Sequence, residues 1–386
     1  MRLLVANTYA GSLLLAAERR KDEVIASLED ANYGGAIQLA NFPRLNYYPT
    51  TDVWPEYDLT DTVVIAHPPC AAFSSQNRGS AAMRGFNAPK VRCTEKVVEY
   101  ALKSKAAALA VESVPRALVG LWFMYDGYAK KYGYDVYRIS LNAGSLGVAQ
   151  YRPRFWAVLV RKGLVKNLKL TMEPKRREMK DIISDYDGCC LTELPWVKEH
   201  TEEQLERVRQ SLNSEKEFND YLKTARGSVV KTLPDKLKLE KCDGDVYECA
   251  CARHVETRRA AMGWNFTSHS MVMLNPSDLA PTLLAGSWWF YKTRALVAEE
   301  YKQVMDFPRD YVFPGEYYLK RTREYLSRGV APATAEWILN QIESNLTGKE
   351  LSGSLKAELE PNDSTVNFWL TPKARREAVA TEVILK

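Results

Sequence analysis

The chain has 386 residues, of which 46% are hydrophobic and 26% are charged, and its formal net charge is +5. This composition is ordinary for a soluble globular protein long enough for two or three domains. No apolar run reaches the length of a membrane span, and the first residues form a predicted strand without the pattern of a signal peptide. Seven scattered cysteines favour reduced thiols and a cytoplasmic setting, and the mild positive charge permits a polyanionic partner without requiring one.

The amino-terminal part of the chain alternates predicted strands and helices. Residues 2–7 and 23–29 are strands on either side of a helix over 10–20, with Gly11 in the first turn and Glu29 at the end of the second strand. This order is typical of the start of a doubly wound nucleotide-binding domain, whose acid binds a ribose hydroxyl. With one glycine in the turn, it equally fits an α/β protein that binds no nucleotide. Further strands are predicted over 62–65, 106–111, 136–141 and 155–160.

A cysteine follows the buried strand over 62–65. Pro68 and Pro69 end that strand, because proline has no amide hydrogen for the ladder, and Cys70 comes next. The polar, basic stretch from Ser74 to Arg92 cannot bury itself and is predicted to be a surface loop. An open α/β sheet places its chemistry at the carboxyl ends of its strands, so Cys70 is a candidate functional thiol. Glu112 likewise follows an apolar strand.

Beyond residue 160 the alternating pattern is lost. Residues 161–270 are highly charged, lack apolar periodicity and contain five of the seven cysteines, which predicts a separate, irregular domain. Order returns over 271–345, where the predicted helix 333–342 has one apolar face, and residues 346–386 are expected to be a loosely attached carboxyl-terminal extension. A candidate structural zinc set lies in the irregular domain, with free cysteines as the alternative. Its four ligands are Cys242, Cys249, Cys251 and His254.

Several short motifs follow one another in a fixed order. They are Pro68-Pro69-Cys70, Glu112-Ser113-Val114, Gln150-Tyr151-Arg152-Pro153-Arg154, Arg294 with Glu299 and Phe307-Pro308, and the closing segment from Leu326 to Pro332. In this order they resemble the motif set of the cytosine-5 DNA methyltransferases. The resemblance covers about residues 1–160 and 270–345. It implies a Rossmann-like class I methyltransferase domain, with an inserted target-recognition domain at 161–270.

The resemblance also implies a role for each motif residue. Cys70 supplies a thiolate that adds to C6 of cytosine, and Glu112 is the acid at the N3 edge of the ring. Arg152 and Arg154 hold the base and the adjacent phosphate. The base is reached by flipping it out of double-stranded DNA, and we expect a monomer. The expected DNA contacts are Ser74, Gln76, Arg78, Gln150, Arg258 and Arg259.

The implied cofactor is S-adenosylmethionine. Its expected contacts are Tyr9, Ala10, Gly11, Glu29, Pro68, Arg328, Val330 and Asp52, with Asp61 as the alternative to Asp52. The family's later glycines in the first turn are Leu13 and Leu14 here, which limits the approach of the backbone to a ligand. The family's Gly-Asn in the closing motif is Ser327-Arg328 here.

Arg328 allows two interpretations. A guanidinium beside the reactive end of the cofactor needs an anion, and carboxy-S-adenosylmethionine would supply one, giving 5-carboxymethylcytosine. Alternatively, Arg328 points to solvent or to a DNA phosphate.

The substrate and role stay open as well. The doubled proline before Cys70 also occurs in the family's tRNA-acting relatives, and the eroded glycine turn suggests a catalytically silent DNA-binding homologue. We expect a prokaryotic or phage-encoded enzyme acting on DNA, in restriction–modification or phage protection.

Overall fold

The computed structural model describes residues 1–31, 34–50, 54–74, 85–183, 209–210, 214–216, 271–274, 277–284, 288–291, 294–314, 318–362, 365–368 and 384–385. The chain divides into two compact units. The first contains residues 1–35, 44–176 and 329–386, and the second contains residues 36–43 and 177–328. None of the helices in the described part of the chain is long and apolar enough to cross a membrane.

The strands are β1 (Arg2–Ala6), β2 (Glu23–Leu28), β3 (Tyr47–Tyr48), β4 (Val63–Ala66), β5 (Ala108–Ser113), β6 (Tyr134–Asn142), β7 (Pro153–Arg161), β8 (Leu168–Met172), β9 (Met271–Met273), β10 (Trp288–Tyr291), β11 (Arg294–Ala295), β12 (Leu355–Leu359), β13 (Thr365–Phe368) and β14 (Ile384–Leu385). The helices are α1 (Ser12–Arg20), α2 (Gly35–Asn41), α3 (Val91–Lys103), α4 (Ala117–Tyr132), α5 (Ala298–Val304), α6 (Tyr318–Arg328) and α7 (Pro332–Thr347).

One large sheet forms the centre of the first unit. Among the described residues it has nine strands in the order β14-β13-β6-β7-β5-β4-β1-β2-β3. The strands from β5 to β3 are parallel, whereas β7 runs antiparallel to both β5 and β6. This is a doubly wound order with an antiparallel strand inserted beside β5. The prediction of a Rossmann-like α/β domain is confirmed.

The apolar runs of the sequence explain the core of this sheet. Every residue of β4 and of β5 is buried, as expected for central parallel strands covered on both faces. Gly11, which has a φ of 81°, precedes helix α1, and the first six residues of the helix are buried. Arg20 at the end of α1 pairs with Glu343 of α7 at 2.8 Å and with the nearby Asp22 at 2.7 Å.

The second unit has its own buried contacts. Tyr301 of α5 stacks on Trp289 of β10, with ring centroids 5.3 Å apart. Asn41 of α2 donates a hydrogen bond to the main-chain carbonyl of Val312 and accepts one from its amide, at 2.8 and 2.9 Å. These contacts join α2 to chain segments far away in sequence. The predicted target-recognition role of 161–270 remains a prediction, because most of that range lies outside the described residues.

The carboxyl-terminal residues form more structure than we expected. Strand β12 pairs antiparallel with β8 over five residues, and β13 adds to the large sheet in parallel with β6. The expectation of a loosely attached extension is therefore wrong for 355–359 and 365–368. Their polar composition was misleading, because β12 exposes alternate side chains and β13, which lies between β14 and β6, has its apolar side chains at alternate positions, the buried Val366 and Phe368.

Two glycines of α4 give a test of how Phe73, three residues after Cys70, is packed. A Cβ added at Gly120 would lie 2.2 Å from the Phe73 ring, whereas one added at Gly127 would meet nothing within 4 Å. Replacing an interior helix glycine by alanine stabilises by about 0.5–1 kcal/mol where space allows. We expect this gain in the free energy of unfolding for Gly127→Ala, and its absence or reversal for Gly120→Ala, in denaturant titrations. Equal gains in both variants would contradict the packing of Phe73 against α4.

Candidate active site

The fold brings Cys70, Glu112 and Arg154 to one edge of the large sheet. Strand β4 ends at Ala66, and His67-Pro68-Pro69 leads from there to Cys70. Glu112 is the fifth residue of β5, next to Val111, which pairs with Ala66. Because β7 is antiparallel to β5, its first residues lie beside the carboxyl end of β5, and this places Arg154 at the same edge. The antiparallel strand thus adds a cation to an edge formed by parallel strands.

Glu112 is fully buried between two partners. Its Oε1 lies 2.8 Å from Nε of Arg154, and its Oε2 lies 3.2 Å from Nε2 of His67. Burial raises the pKa of Glu112 to about 7, although Arg154 and Arg152 pull it down. A carboxyl with this pKa is substantially protonated at neutral pH and can serve as an acid.

Cys70 is partly exposed at the start of a short 3₁₀ turn over Ala71–Phe73. Its backbone lies in the sparsely populated bridge region, at φ −92° and ψ 1°, where active-site residues are often found. Loss of solvent and the nearby Glu112 raise the pKa of the thiol, while Arg154 and Arg152 lower it. The two acids are coupled, because a proton on Glu112 removes a negative charge that opposes the thiolate.

Arg152 and Gln150 lie inside the protein. Arg152 is 1% exposed, and its guanidinium donates to Oε1 of Gln150 at 3.2 Å and to the carbonyl of Gly329. Gln150 is itself fully buried. Gln150 is thus the partner of Arg152, and Arg152 joins the closing motif and acts on Cys70 through its charge. The contacts of both residues with DNA or with the base remain predictions.

The turn after β1 has the features of a nucleotide site. Asn7, Tyr9 and Gly11 all have positive φ, at 52°, 57° and 81°. The main-chain amide of Tyr9 donates to Oε1 of Glu29 at 3.3 Å, which places that buried acid at the carboxyl end of β2. Oδ1 of Asn7 is buried and has no hydrogen-bond partner among the described residues. An orphaned acceptor beside a buried acid fits the amino and hydroxyl groups of an S-adenosylmethionine-type ligand.

The other cofactor residues are placed as follows. Ala10, Pro68 and Val330 are buried. Asp61 precedes β4 and pairs with Arg2 at 3.0 Å, at the amino end of the sheet. The proposed adenine contact of Asp61 is therefore wrong, because ligands bind beyond the opposite ends of the strands. Arg328 ends α6 and pairs with Glu324 one turn earlier, at 2.8 Å.

Of the predicted DNA contacts in the loop after Cys70, Ser74 is described and half-buried. The remaining predictions lie outside the described residues: Asp52, Gln76, Arg78, Arg258, Arg259, and the candidate zinc ligands Cys242, Cys249, Cys251 and His254. In the ranges that the structure describes, no group of three or more His, Cys, Asp or Glu side chains is arranged to hold a metal ion.

Two features were missed by the sequence reasoning. His67 contacts Glu112 although 45 positions separate them in the chain. The only signal for His67 in the sequence was its position directly before Pro68. Gly34 lies against the nucleotide-type turn, where a Cβ would come 1.6 Å from the carbonyl oxygen of Tyr9. A glycine that makes this close approach could not be recognised without the fold.

A family model described as C-5 cytosine-specific DNA methylase matches residues 7–344. The chain belongs to this family. The matched range spans Cys70, Glu112 and Arg154. The resemblance of the sequence motifs to the cytosine-5 methyltransferases is confirmed.

Individual relatives are distant. A protein of Oceanobacillus iheyensis named as a type II methyltransferase is 29% identical over 126 residues, which span 30% of this chain and 27% of that protein. A solved structure described as a DNA modification methyltransferase encoded within an E. coli prophage has a TM-score of 0.56 at 16% identity, covering 90% of this chain and 99% of its own. The Entamoeba histolytica methyltransferase EhMeth has a TM-score of 0.55 at 12% identity, covering 90% and 98%. These structures share the methylase fold.

The raised pKa of Glu112 predicts a specific pH dependence of stability. The folded protein binds this proton up to about pH 7, whereas the unfolded chain releases it near the ordinary value of 4.5, so stability falls as pH rises between these values. We expect the free energy of unfolding, relative to that of Glu112→Gln, to decrease by up to about 1.4 kcal/mol per pH unit in this window and to level off above it. Denaturant titrations at a series of pH values measure the difference, and a difference independent of pH would contradict the assignment.

Proposed function

We propose that the chain is a DNA cytosine-5 methyltransferase, which transfers a methyl group from S-adenosylmethionine to a flipped cytosine through a covalent adduct with Cys70. The observation that carries this proposal is the placement of a thiol, a buried carboxyl that holds a proton near neutral pH, and a guanidinium at one sheet edge. Membership of a DNA methylase family supports DNA as the substrate.

Addition of a thiolate activates a carbon that is otherwise unreactive. C5 of cytosine is a weak nucleophile, and attack by the Cys70 sulfur on C6 moves the electron pair of the C5–C6 double bond toward C5 and N3. Glu112 donates its proton at N3 as that negative charge develops. Arg154, 2.8 Å from the carboxyl, then stabilises the carboxylate that this donation leaves.

The adduct must also break down. When bound, S-adenosylmethionine supplies an electrophilic methyl group for C5. The C5 hydrogen then leaves as a proton to solvent water, its bonding pair re-forms the C5–C6 double bond, the S–C6 bond breaks, and Cys70 departs as a thiolate. The N3 proton returns to Glu112, so the enzyme ends in the protonation state in which it began. The cofactor contacts that we propose are the Tyr9–Gly11 turn and Glu29, with Asn7 offering its unpartnered oxygen.

The prediction of carboxy-S-adenosylmethionine as an alternative donor depended on the position of Arg328. That side chain is 54% exposed and already pairs with the carboxylate of Glu324. A guanidinium with its own acid does not require an extra carboxylate on the cofactor, because its charge is compensated locally. We therefore favour S-adenosylmethionine as the donor and retain the carboxylated cofactor as the second candidate.

Mass spectrometry of nucleosides tests the substrate and the donor together. The protein is incubated with double-stranded DNA or with tRNA, in each case with S-adenosylmethionine or with its carboxylated analogue. We expect 5-methylcytosine in the DNA reaction with S-adenosylmethionine. Modification of tRNA alone would replace the DNA proposal, and 5-carboxymethylcytosine would make the carboxylated cofactor the donor. Cofactor binding in calorimetry without any modified base would identify a catalytically silent homologue.

Single substitutions test the roles of Cys70 and Glu112. DNA that contains 5-fluorocytosine should trap the Cys70 adduct, because fluorine cannot leave C5 as a cation, and Cys70→Ala should form none on a denaturing gel. Glu112→Gln should lower kcat by about 10²–10⁴-fold, since an amide cannot deliver the N3 proton, with little change in cofactor affinity. Glu99→Gln, which changes an exposed acid of α3, is the matched control and should keep full activity. Adduct formation by Cys70→Ala would contradict the mechanism.

A further inference from the structure

His67 is held rigidly at the end of β4. Its main-chain amide donates to the carbonyl of Ala6 at 3.1 Å, which continues the pairing of β4 with β1. Its side chain is 6% exposed, and Nε2 lies 3.2 Å from Oε2 of Glu112. The sheet therefore fixes the imidazole directly against the proposed proton donor.

The two oxygens of Glu112 have partners of different chemistry. Oε1 faces Nε of Arg154, a group that donates hydrogen bonds and cannot accept them. A proton on Oε1 would point at that donor, so the carboxyl proton belongs on Oε2. Oε2 faces Nε2 of the imidazole, which donates in the neutral tautomer protonated at that nitrogen and occupies one lone pair of Oε2, so that the other lone pair can carry the carboxyl proton.

We propose that His67 is a positioning residue for Glu112, whose imidazole donates from Nε2 to one lone pair of Oε2 and leaves the other for the proton that Glu112 delivers to the base. This inference rests on the proposed function and assigns a residue to its proton-donating step. His67 does not itself touch the base. It determines which oxygen carries the proton and in which direction the carboxyl is held.

The charged groups around the ring suit this role. The ring is faced by Glu112 from β5, by Arg154 from β7 and by Arg152 just before β7, and Tyr125 of α4 lies within electrostatic reach of the same carboxyl. Burial, Arg154 and Arg152 lower the pKa of His67 to about 3. The ring therefore stays neutral at physiological pH and does not remove the proton from Glu112, as a charged imidazolium–carboxylate pair would require.

Three variants of His67 separate positioning from packing. His67→Gln keeps a polar group at the distance of Nε2, His67→Phe keeps the volume without the nitrogens, and His67→Asn keeps polarity on a side chain too short to reach Glu112. The protonation of Glu112 is followed by infrared spectroscopy of the acid carbonyl band that Glu112→Gln abolishes. The imidazole is a neutral hydrogen-bond donor to the carboxylate of Glu112 and favours its ionised form. Loss of the imidazole therefore raises the pH midpoint at which Glu112 loses its proton.

We expect the midpoint to move up by about one pH unit or more in His67→Phe and His67→Asn and to stay near that of the unaltered protein in His67→Gln. We also expect kcat to fall about tenfold in the first two variants, with unchanged KM for DNA, and His67→Gln to restore it. Unchanged midpoints in all three variants would overturn the inference. If His67→Phe does not fold, the comparison of His67→Asn with His67→Gln decides.

The infrared result and the activity result can fail separately. A shifted midpoint in a protein that modifies no nucleic acid would leave the His67 contact intact and refute the proposed function. Methylation of cytosine with identical midpoints would support the proposed function and refute the role of His67.

Discussion

The site depends on one buried carboxyl group. Glu112 is removed from water, and a charged carboxylate there is costly unless a cation or a proton compensates it. Arg154 offers the cation at 2.8 Å, and the raised pKa shows that this cation offsets only part of the cost of burial. The group is thus close to the balance between its two protonation states. An acid that must give up a proton and take it back within one reaction cycle needs that balance.

The balance between the protonated and the ionised form of Glu112 follows from the topology of the sheet. Parallel strands β4 and β5 bring His67, Cys70 and Glu112 to their common carboxyl end, but another parallel strand would place only its own last residues there. Strand β7 runs in the opposite direction beside β5, so its first residues arrive at the same edge and include Arg154. Arg152, two positions earlier, extends to the carbonyl of Gly329 and joins the closing motif to that edge. The cationic side of the site is therefore a consequence of one strand reversal.

The sequence predicted the parts that strands bring to their ends, and it failed where partners come from far along the chain. Cys70 and Glu112 follow apolar runs, and such runs predict buried parallel strands with chemistry at their ends. Gln150 was predicted to contact DNA from its place in the Gln-x-Arg-x-Arg motif, and no local pattern indicated that it is buried as the partner of Arg152. The contact between His67 and Glu112 and that between Gly34 and Tyr9 depend on strand order, which no local pattern contains.

The turn after β1 holds a strained backbone at residues other than those that replace the family's glycines. Asn7 and Tyr9 adopt the left-handed conformation, at a cost of about 1–2 kcal/mol each, whereas Leu13 and Leu14 lie in helix α1. Such strain persists where surrounding contacts enforce it, and here Glu29 binds the amide of Tyr9 while Gly34 leaves room for its carbonyl. Backbone strain of this kind clusters where ligands are held, and it supports the proposed cofactor-binding role of the turn.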